Sequence, residues 1–169
     1  MEGVQEPTTF AAAAEAHLDD VYGYLVYLTG DRGLAEDLAA ETFERALRQW
    51  PRFDPARGAA RTWLCQVARS TALDHFRAER RRRGREDAYA RRERQVDEGP
   101  LVPGLSPDLE RALLSLSAAD RELVALRVLL DLDGPTAARL LGISATACST
   151  RLSRALTRLE ERMRDAVPA

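Results

Sequence analysis

A tight turn between two helical patterns, near the C-terminal end, constrains the fold of this chain most strongly. Residues 137–141 carry small or apolar side chains at four of five positions, and Gly142 follows them. Glycine tolerates the left-handed backbone that ends a helix, and Ser144 can cap a second helix by accepting hydrogen bonds from its free amides. Ile143 would then fill the corner between the two helices. The pattern predicts a helix-turn-helix.

The second helix of this motif is amphipathic. Its predicted buried stripe consists of Leu152, Leu156, Leu159 and Met163. At about 100° per residue, hydrogen-bond donors of the first turns face away from that stripe or lie on its edge. These donors are Ser149, Thr150, Arg151 and Arg154. Such a helix suits the major groove of DNA, but an ordinary helical hairpin with a solvated polar face gives the same pattern.

The composition predicts an all-α protein and limits how it can bind DNA. Aromatic residues make up 6% of the 169 residues, and strand-like runs of Val, Ile and Thr are absent. The net charge of -2 argues against a protein that coats DNA by general neutralisation of phosphates. Any contact with DNA must therefore be local or assisted by a partner.

The sequence carries no targeting, membrane-spanning or metal-binding pattern. The N-terminus lacks the basic patch and apolar run of a signal peptide, and no segment is long enough to cross a bilayer. Cys65 and Cys148 are isolated within apolar helical patterns, which favours buried, inert thiols over a disulfide or a zinc site. His17 and His75 are isolated as well. We therefore expect a cytoplasmic protein with no cofactor and no metal.

Three helical patterns follow a leader at residues 1–9 and form a first module at residues 10–83. The helices are predicted at residues 10–29, 32–50 and 60–83. The second has an acidic surface, which is usually just solvated. The third ends in the most basic segment of the chain, at residues 77–83. Consecutive arginines repel one another, so this segment favours a phosphate backbone as partner, although a basic helix end also complements the helix dipole.

A change in composition separates this module from the helix-turn-helix. Residues 84–106 are rich in charge, glycine and proline and poor in apolar side chains, which predicts a flexible linker. The second module then covers residues 107–169. The predicted architecture is two small helical modules joined by a flexible linker.

A series of segments follows the chain in order: Tyr24-Leu25, Gly30-Asp31, residues 35–43, residues 63–77, Leu116 to Arg121, and residues 141–155. Together, from about residue 10 to residue 163, they resemble the extracytoplasmic-function sigma factors of bacterial RNA polymerase. The resemblance implies that residues 35–43 dock on core polymerase through Asp37, Glu41, Thr42 and Phe43. It implies that the third helix melts and reads the minus-ten element through Ser70, Asp74, Arg77, Arg80 and Arg81. The helix-turn-helix would read the minus-thirty-five element.

Four positions depart from the pattern common in that family. Ala40 stands where Gln is common, Ser70 where Asn is common, and Thr136 where an acidic residue is common. Ser149 offers a short hydroxyl where a Lys or Arg would reach phosphate or guanine. The sequence therefore predicts promoter binding without predicting which promoter.

The resulting hypothesis is a factor without catalytic activity that brings core RNA polymerase to promoter DNA. The resemblance adds an anti-sigma protein as a partner that such factors often have, and no membrane contact. An independent helix-turn-helix regulator, binding a palindrome as a dimer, remains an alternative. An enzyme acting on nucleic acid is disfavoured because the histidines are isolated and no phosphate-binding glycine loop is present.

Overall fold

The computed structural model describes residues 9–83 and 105–166, and within these ranges the regular structure is helical. The N-terminal half contains α1 (Phe10–Thr29), α2 (Arg32–Gln49) and α3 (Ala60–Arg83), with two 3-10 turns, Trp50–Arg52 and Pro55–Arg57, between α2 and α3. These bounds confirm the three predicted helices to within one residue. The predicted leader and flexible linker lie almost entirely outside the described residues.

The C-terminal half consists of three short helices and one long one. They are α4 (Pro107–Leu114), α5 (Ala118–Val124), α6 (Gly134–Leu141) and α7 (Ala145–Ala166). A π turn, Ala125–Leu129, continues α5, and the amide of Leu130 donates to the carbonyl of Ala125 at 2.9 Å. The all-α prediction is confirmed.

Helix ends follow the capping residues that the sequence provides. Gly30 ends α1 with φ 66°, in the left-handed region, and its amide donates to the carbonyl of Val26 at 2.8 Å. Asp31 then caps α2 by accepting from the amide of Leu34 at 2.9 Å. The chain therefore reverses direction between α1 and α2 within two residues.

The core of the N-terminal half lies between α1, α2 and α3. Tyr24 and Leu25 of α1, Leu38 of α2 and Leu64 of α3 are buried there. Cys65 is buried in the same core, and desolvation, followed by the charge of Asp20, raises its pKa to about 12. Cys148 of α7 is also buried, so the prediction of two buried thiols is confirmed.

The C-terminal half divides its apolar side chains between two clusters. Leu123, Leu126 and Leu130 belong to the same continuous core as α1–α3. A smaller cluster contains Ala112, Leu113, Leu116, Val124, Ala155 and Leu159. The two halves are consequently in direct contact.

The predicted buried stripe on α7 is wrong at one residue, Leu156. Leu156 is 41% exposed, whereas Cys148 and Ala155 are buried. The buried stripe therefore has the spacing 148, 152, 155, 159, which leaves Leu156 on its flank. The sequence interpretation favoured the larger leucine, while the helix packs through the small side chain of Ala155.

None of the helices in the described ranges combines the length and the apolar character needed to cross a membrane.

Candidate nucleic-acid and protein interfaces

The predicted helix-turn-helix is formed by α6 and α7. Gly142 adopts φ 67° between them, and the hydroxyl of Ser144 accepts from the amide of Ala147 at 3.1 Å. Ile143 is partly buried against the core, as expected for the side chain that fills the corner. Asp133 caps α6 by accepting from the amide of Thr136 at 2.8 Å, and that hydrogen bond lowers the pKa of Asp133. Both helix starts are thus fixed by side-chain caps.

The predicted donors of α7 differ in their exposure. Ser149, Thr150 and Arg154 are exposed, whereas Arg151 is partly buried. All four lie within the first three turns of a helix that is anchored by the buried Cys148 and Ala155. The exposed donors can therefore reach a ligand without any rearrangement of the helix.

Arg151 has a carboxylate partner within its own half of the protein. One of its terminal nitrogens donates to Oδ1 of Asp120 at 3.2 Å, and Arg158 donates to Oδ2 of Asp120 at 3.1 Å. Asp120 lies in the first turn of α5. A single acidic side chain therefore links α5 to two positions of α7.

The five predicted residues of α3 are all exposed. Ser70, Asp74, Arg77 and Arg81 share one face at a spacing of four, three and four residues, and Arg80 lies beside it. The face lies opposite the buried side chains of Leu64, Ala68 and Ala72. Structure and sequence agree that this end of α3 presents positive charge to its surroundings.

Ion pairs connect this face of α3 with the acidic surface of α2. Asp74 accepts from Arg77 at 3.3 Å and from Arg45 of α2 at 3.0 Å. Arg45 in turn lies 3.7 Å from Glu41. The predicted DNA-binding and polymerase-binding surfaces are therefore neighbours, joined by a chain of alternating charges.

The predicted docking residues of α2 divide into exposed and buried members. Asp37 and Glu41 are exposed, whereas Thr42 is fully buried and its hydroxyl donates to the carbonyl of Leu38 at 2.6 Å. Phe43 is partly buried and lines an open groove of about 370 Å³ between α1 and α2. Thr42 is therefore not part of the exposed surface and contributes only to the packing under it.

Leu18 and Tyr22 of α1 form the opposite wall of this groove, together with Asp19. Helical spacing assigns Leu18 and Tyr22 to the apolar face of α1, but Leu18 is 51% exposed. The lining of the groove combines apolar side chains with the acidic residues Asp19 and Glu36. Helical spacing puts Leu18 on the edge of the buried stripe, and spacing alone could not decide whether another helix covers it.

The two halves meet at a buried polar contact that the sequence interpretation missed. Glu122 of α5 accepts from the hydroxyl of Tyr24 at 2.7 Å and from Nε of Arg69 at 2.7 Å. Burial, and then the charge of Glu122, raises the pKa of Tyr24 well above its usual value. No short sequence motif contains this contact, because Tyr24 and Glu122 are 98 positions apart.

Close packing surrounds this polar contact. A Cβ atom at Gly23 would lie 3.2 Å from Cδ2 of Leu129, which is tighter than usual contacts. Arg121 donates through Nε to the carbonyl of Tyr27 at 3.0 Å. The glycine in the interior of α1 therefore allows the π turn of the C-terminal half to approach the helix backbone.

Comparison with known families matches both halves in this order. Residues 13–82 match Sigma-70 region 2, and residues 107–159 match Sigma-70, region 4. A relative described as the ECF RNA polymerase sigma factor SigC of Mycobacterium tuberculosis is 36% identical over 146 residues, covering 85% of this chain and 77% of the relative. The chain belongs to the extracytoplasmic-function sigma factors. The family predicted from the sequence is therefore confirmed.

A second relative agrees with the family, and a solved structure agrees with the fold. RNA polymerase sigma factor CarQ of Myxococcus xanthus is 32% identical and covers 86% of this chain and 83% of the relative. Among solved structures, the sigma factor RpoE in complex with the anti-sigma factor NepR from Bartonella quintana superposes with a TM-score of 0.80 at 24% identity, covering 92% of this chain and 96% of the other. This structural likeness extends over both halves of the fold.

Proposed function

We propose that this sigma factor binds core RNA polymerase through α2 and the groove between α1 and α2, and directs the enzyme to promoters with two separate DNA contacts. The observation that carries the proposal is the order of the two matched regions, each with an exposed donor-bearing helix face. Promoter-specific initiation of transcription is the function of the family.

The charge balance supports dependence on polymerase. An acidic chain has little general attraction for DNA, so two local contacts gain selectivity when a larger enzyme holds them in place. The exposed carboxylates of Asp37 and Glu41, together with Phe43 in the groove, form the proposed contact with core polymerase. Thr42 supports this surface from within the core.

Reading two elements at once requires the halves to separate. The minus-ten and minus-thirty-five positions are about 85 Å apart along B-form DNA, at about 3.4 Å per base pair. A compact protein of this length is only about 40 Å across. A fully extended segment at residues 84–106 reaches about 80 Å. We therefore infer that the contact between Glu122, Tyr24 and Arg69 breaks when the factor occupies a promoter on polymerase.

The proposed minus-ten contact is the exposed face of α3. Arg77, Arg80 and Arg81 hold the phosphate backbone in this proposal, while the exposed Ser70 and Asp74 of the same face contact an extruded base. Asp74 already accepts from Arg45 and Arg77, so its carboxylate orients the neighbouring cations. Permanganate footprinting of an Arg80→Ala holoenzyme tests this role. We expect fewer reactive thymines at the minus-ten element, and normal opening would remove Arg80 from the contact.

The proposed minus-thirty-five contact is the start of α7. Ser149 and Thr150 offer hydroxyls, Arg151 and Arg154 offer guanidinium groups, and a good bidentate pair with a base contributes about 1–3 kcal/mol of discrimination. Arg164→Ala is a matched control for Arg154→Ala, because Arg164 is an exposed arginine of the same helix that pairs with Glu160. We expect Arg154→Ala to lower promoter-dependent transcription about tenfold and Arg164→Ala to leave it unchanged. Equal activity of the two variants would overturn the assignment.

The remaining proposals follow from the family. We propose that the factor acts in the cytoplasm, where polymerase is, and has no catalytic activity of its own. We also propose an anti-sigma protein as a regulatory partner, because the superposed RpoE structure contains one. Binding of the native chain to purified core enzyme, measured by gel filtration, tests the first requirement of the whole proposal.

A further inference from the structure

We propose that Asp120 is a positioning residue for promoter recognition: its carboxylate orients the guanidinium of Arg151 on the DNA-reading face of α7. The inference deepens the proposed function and rests on it. Asp120 accepts from Arg151 and Arg158 and is not itself placed in the contact with DNA. Its effect on DNA passes through Arg151.

The carboxylate of Asp120 is held rigidly. Its side chain is only 13% exposed, and its two oxygens accept from different arginines, Arg151 at 3.2 Å and Arg158 at 3.1 Å. The amide of Asp120 donates to Oγ of Ser117 at 3.1 Å, which fixes the backbone at the start of α5. A carboxylate in the first turn of a helix is also favoured by the helix dipole.

The two arginines differ in their relation to the reading face. Arg151 directly follows Thr150 and lies one turn before Arg154, both of which are exposed. Arg158 is a further turn along α7, away from the first turns that enter a groove. Of the two, only Arg151 is placed to convert an ion pair with Asp120 into a contact with a base edge or phosphate.

An arginine has donors to spare for both tasks. Guanidinium carries five N–H donors in a planar fork, and the structure gives one terminal nitrogen of Arg151 to Asp120. Arg151 remains partly exposed, so its other donors can face DNA. Fixing the fork in advance lowers the entropy lost on binding and restricts which base edge it matches.

The carboxylate has a second effect, on charge. Asp120 partly neutralises the charge of Arg151, which weakens the attraction of that arginine to any phosphate. The hydrogen bonds of Arg151 to a base edge of matching geometry are less affected. Asp120 therefore increases discrimination between promoters more than total affinity. Sequence-independent binding depends on the number of neutralised phosphates and is read from its salt dependence.

The test uses holoenzyme assembled from the full chain and purified core polymerase. The probes are a promoter selected by this native holoenzyme from a library with a randomised minus-thirty-five element, and the same promoter with that element scrambled. Asp120→Asn keeps the shape of the side chain and removes its charge. Glu160→Gln is the matched control, because it removes the same charge from an exposed position of α7 that pairs with Arg164.

We expect Asp120→Asn to reduce the ratio of affinities for selected and scrambled promoter about tenfold. We expect the affinity of this variant for the scrambled promoter to fall more steeply as salt concentration rises. The increase in slope should correspond to about one additional phosphate contact. Glu160→Gln should change neither quantity. A merely structural role for Asp120 would lower thermal stability and leave both the ratio and the salt dependence unchanged, and that result would overturn the proposal.

A double-mutant cycle identifies the residue through which Asp120 acts. In an Arg151→Gln background, Asp120→Asn should have no further effect on discrimination, whereas in an Arg158→Gln background its effect should persist. The reverse pattern would contradict the proposal. If the native holoenzyme selects no promoter, the proposed function fails. If it selects one and the Asp120→Asn holoenzyme shows the same ratio of affinities as the native holoenzyme, only the role of Asp120 fails.

Discussion

The two halves of this sigma factor bury their apolar faces in different ways. Helices α1–α3, of 18 to 24 residues each, pack against one another around Tyr24, Leu38 and Leu64. The C-terminal half has its own small cluster and places Leu123, Leu126 and Leu130 in the core of the other half. The C-terminal half therefore depends on the N-terminal half for part of its burial.

Two acidic side chains of α5 show the same contrast at the scale of single residues. Asp120 accepts from Arg151 and Arg158 of its own half, whereas Glu122 accepts from Tyr24 and Arg69 of the other half. Separation of the halves would leave the partners of Asp120 in place and would expose Glu122. Asp120 is thus suited to act in the open, polymerase-bound state, and Glu122 in the closed state.

The largest expected effect tests the dependence of one half on the other. Leu64→Ala removes a fully buried side chain from the shared core and should lower the free energy of unfolding by about 3 kcal/mol. Hydrogen exchange should then accelerate in α5 as well as in α1–α3. Leu159→Ala, in the small cluster, is the matched control and should accelerate exchange only in α4–α7. Acceleration confined to α1–α3 in Leu64→Ala would show that the halves are independent.

A somewhat smaller effect is expected from the buried ion pair. Arg69→Ala leaves the carboxylate of Glu122 without its cation, which should cost about 2–3 kcal/mol, below the usual cost for fully buried pairs because Arg69 is partly exposed. Urea unfolding measures this change. Arg48→Ala, which breaks an exposed pair with Glu44, should cost less than about 0.5 kcal/mol. Similar costs for the two variants would mean that Glu122 is not held by Arg69 in solution.

The smallest expected effect concerns the hydroxyl of Tyr24 and its pH dependence. Tyr24→Phe should lower the free energy of unfolding by about 1–2 kcal/mol, because the hydrogen bond goes to a charged group. Burial raises the pKa of Tyr24 in the folded state, so above about pH 10 the unfolded chain loses its proton first and stability falls as pH rises. Below pH 10 this contribution is fully present.

Unfolding measured from pH 8 to pH 11 tests that sign. The native chain should lose stability over the upper part of this range more steeply than Tyr24→Phe. Cys65 contributes in the same direction, because its pKa is also raised by burial, to about 12. A Tyr24→Phe, Cys65→Ala double variant should therefore show the shallowest dependence. An unchanged dependence in both variants would contradict the buried contact between the halves.

The sequence predicted the helices well, because their signals are local. Gly30, Asp31, Gly142 and Ser144 occupy the ends of helices as predicted, and each acts through bonds to residues within four positions. The basic end of α3 also followed from the local run of arginines, whereas Ser70 and Asp74 were named from the family likeness. The resemblance to a known family indicated which region each of the two modules corresponds to.

The contacts between distant residues could not be predicted in this way. Nothing near Glu122 in the sequence points to Tyr24 or Arg69, and Leu18 carries no mark that distinguishes an edge position from a core position. Leu156 was misplaced because leucine is usually preferred to alanine for a buried position. Such errors arise wherever packing between elements, and not the element itself, decides exposure.

The most direct test of the account is whether promoter selectivity requires core polymerase. The native chain is titrated onto its selected promoter duplex, alone and with purified core enzyme, at matched salt concentrations. We expect the chain alone to bind weakly and without sequence preference, and the holoenzyme to bind selectively and to initiate transcription at a specific position. Tight and selective binding by the chain alone, without association with core enzyme, would contradict it.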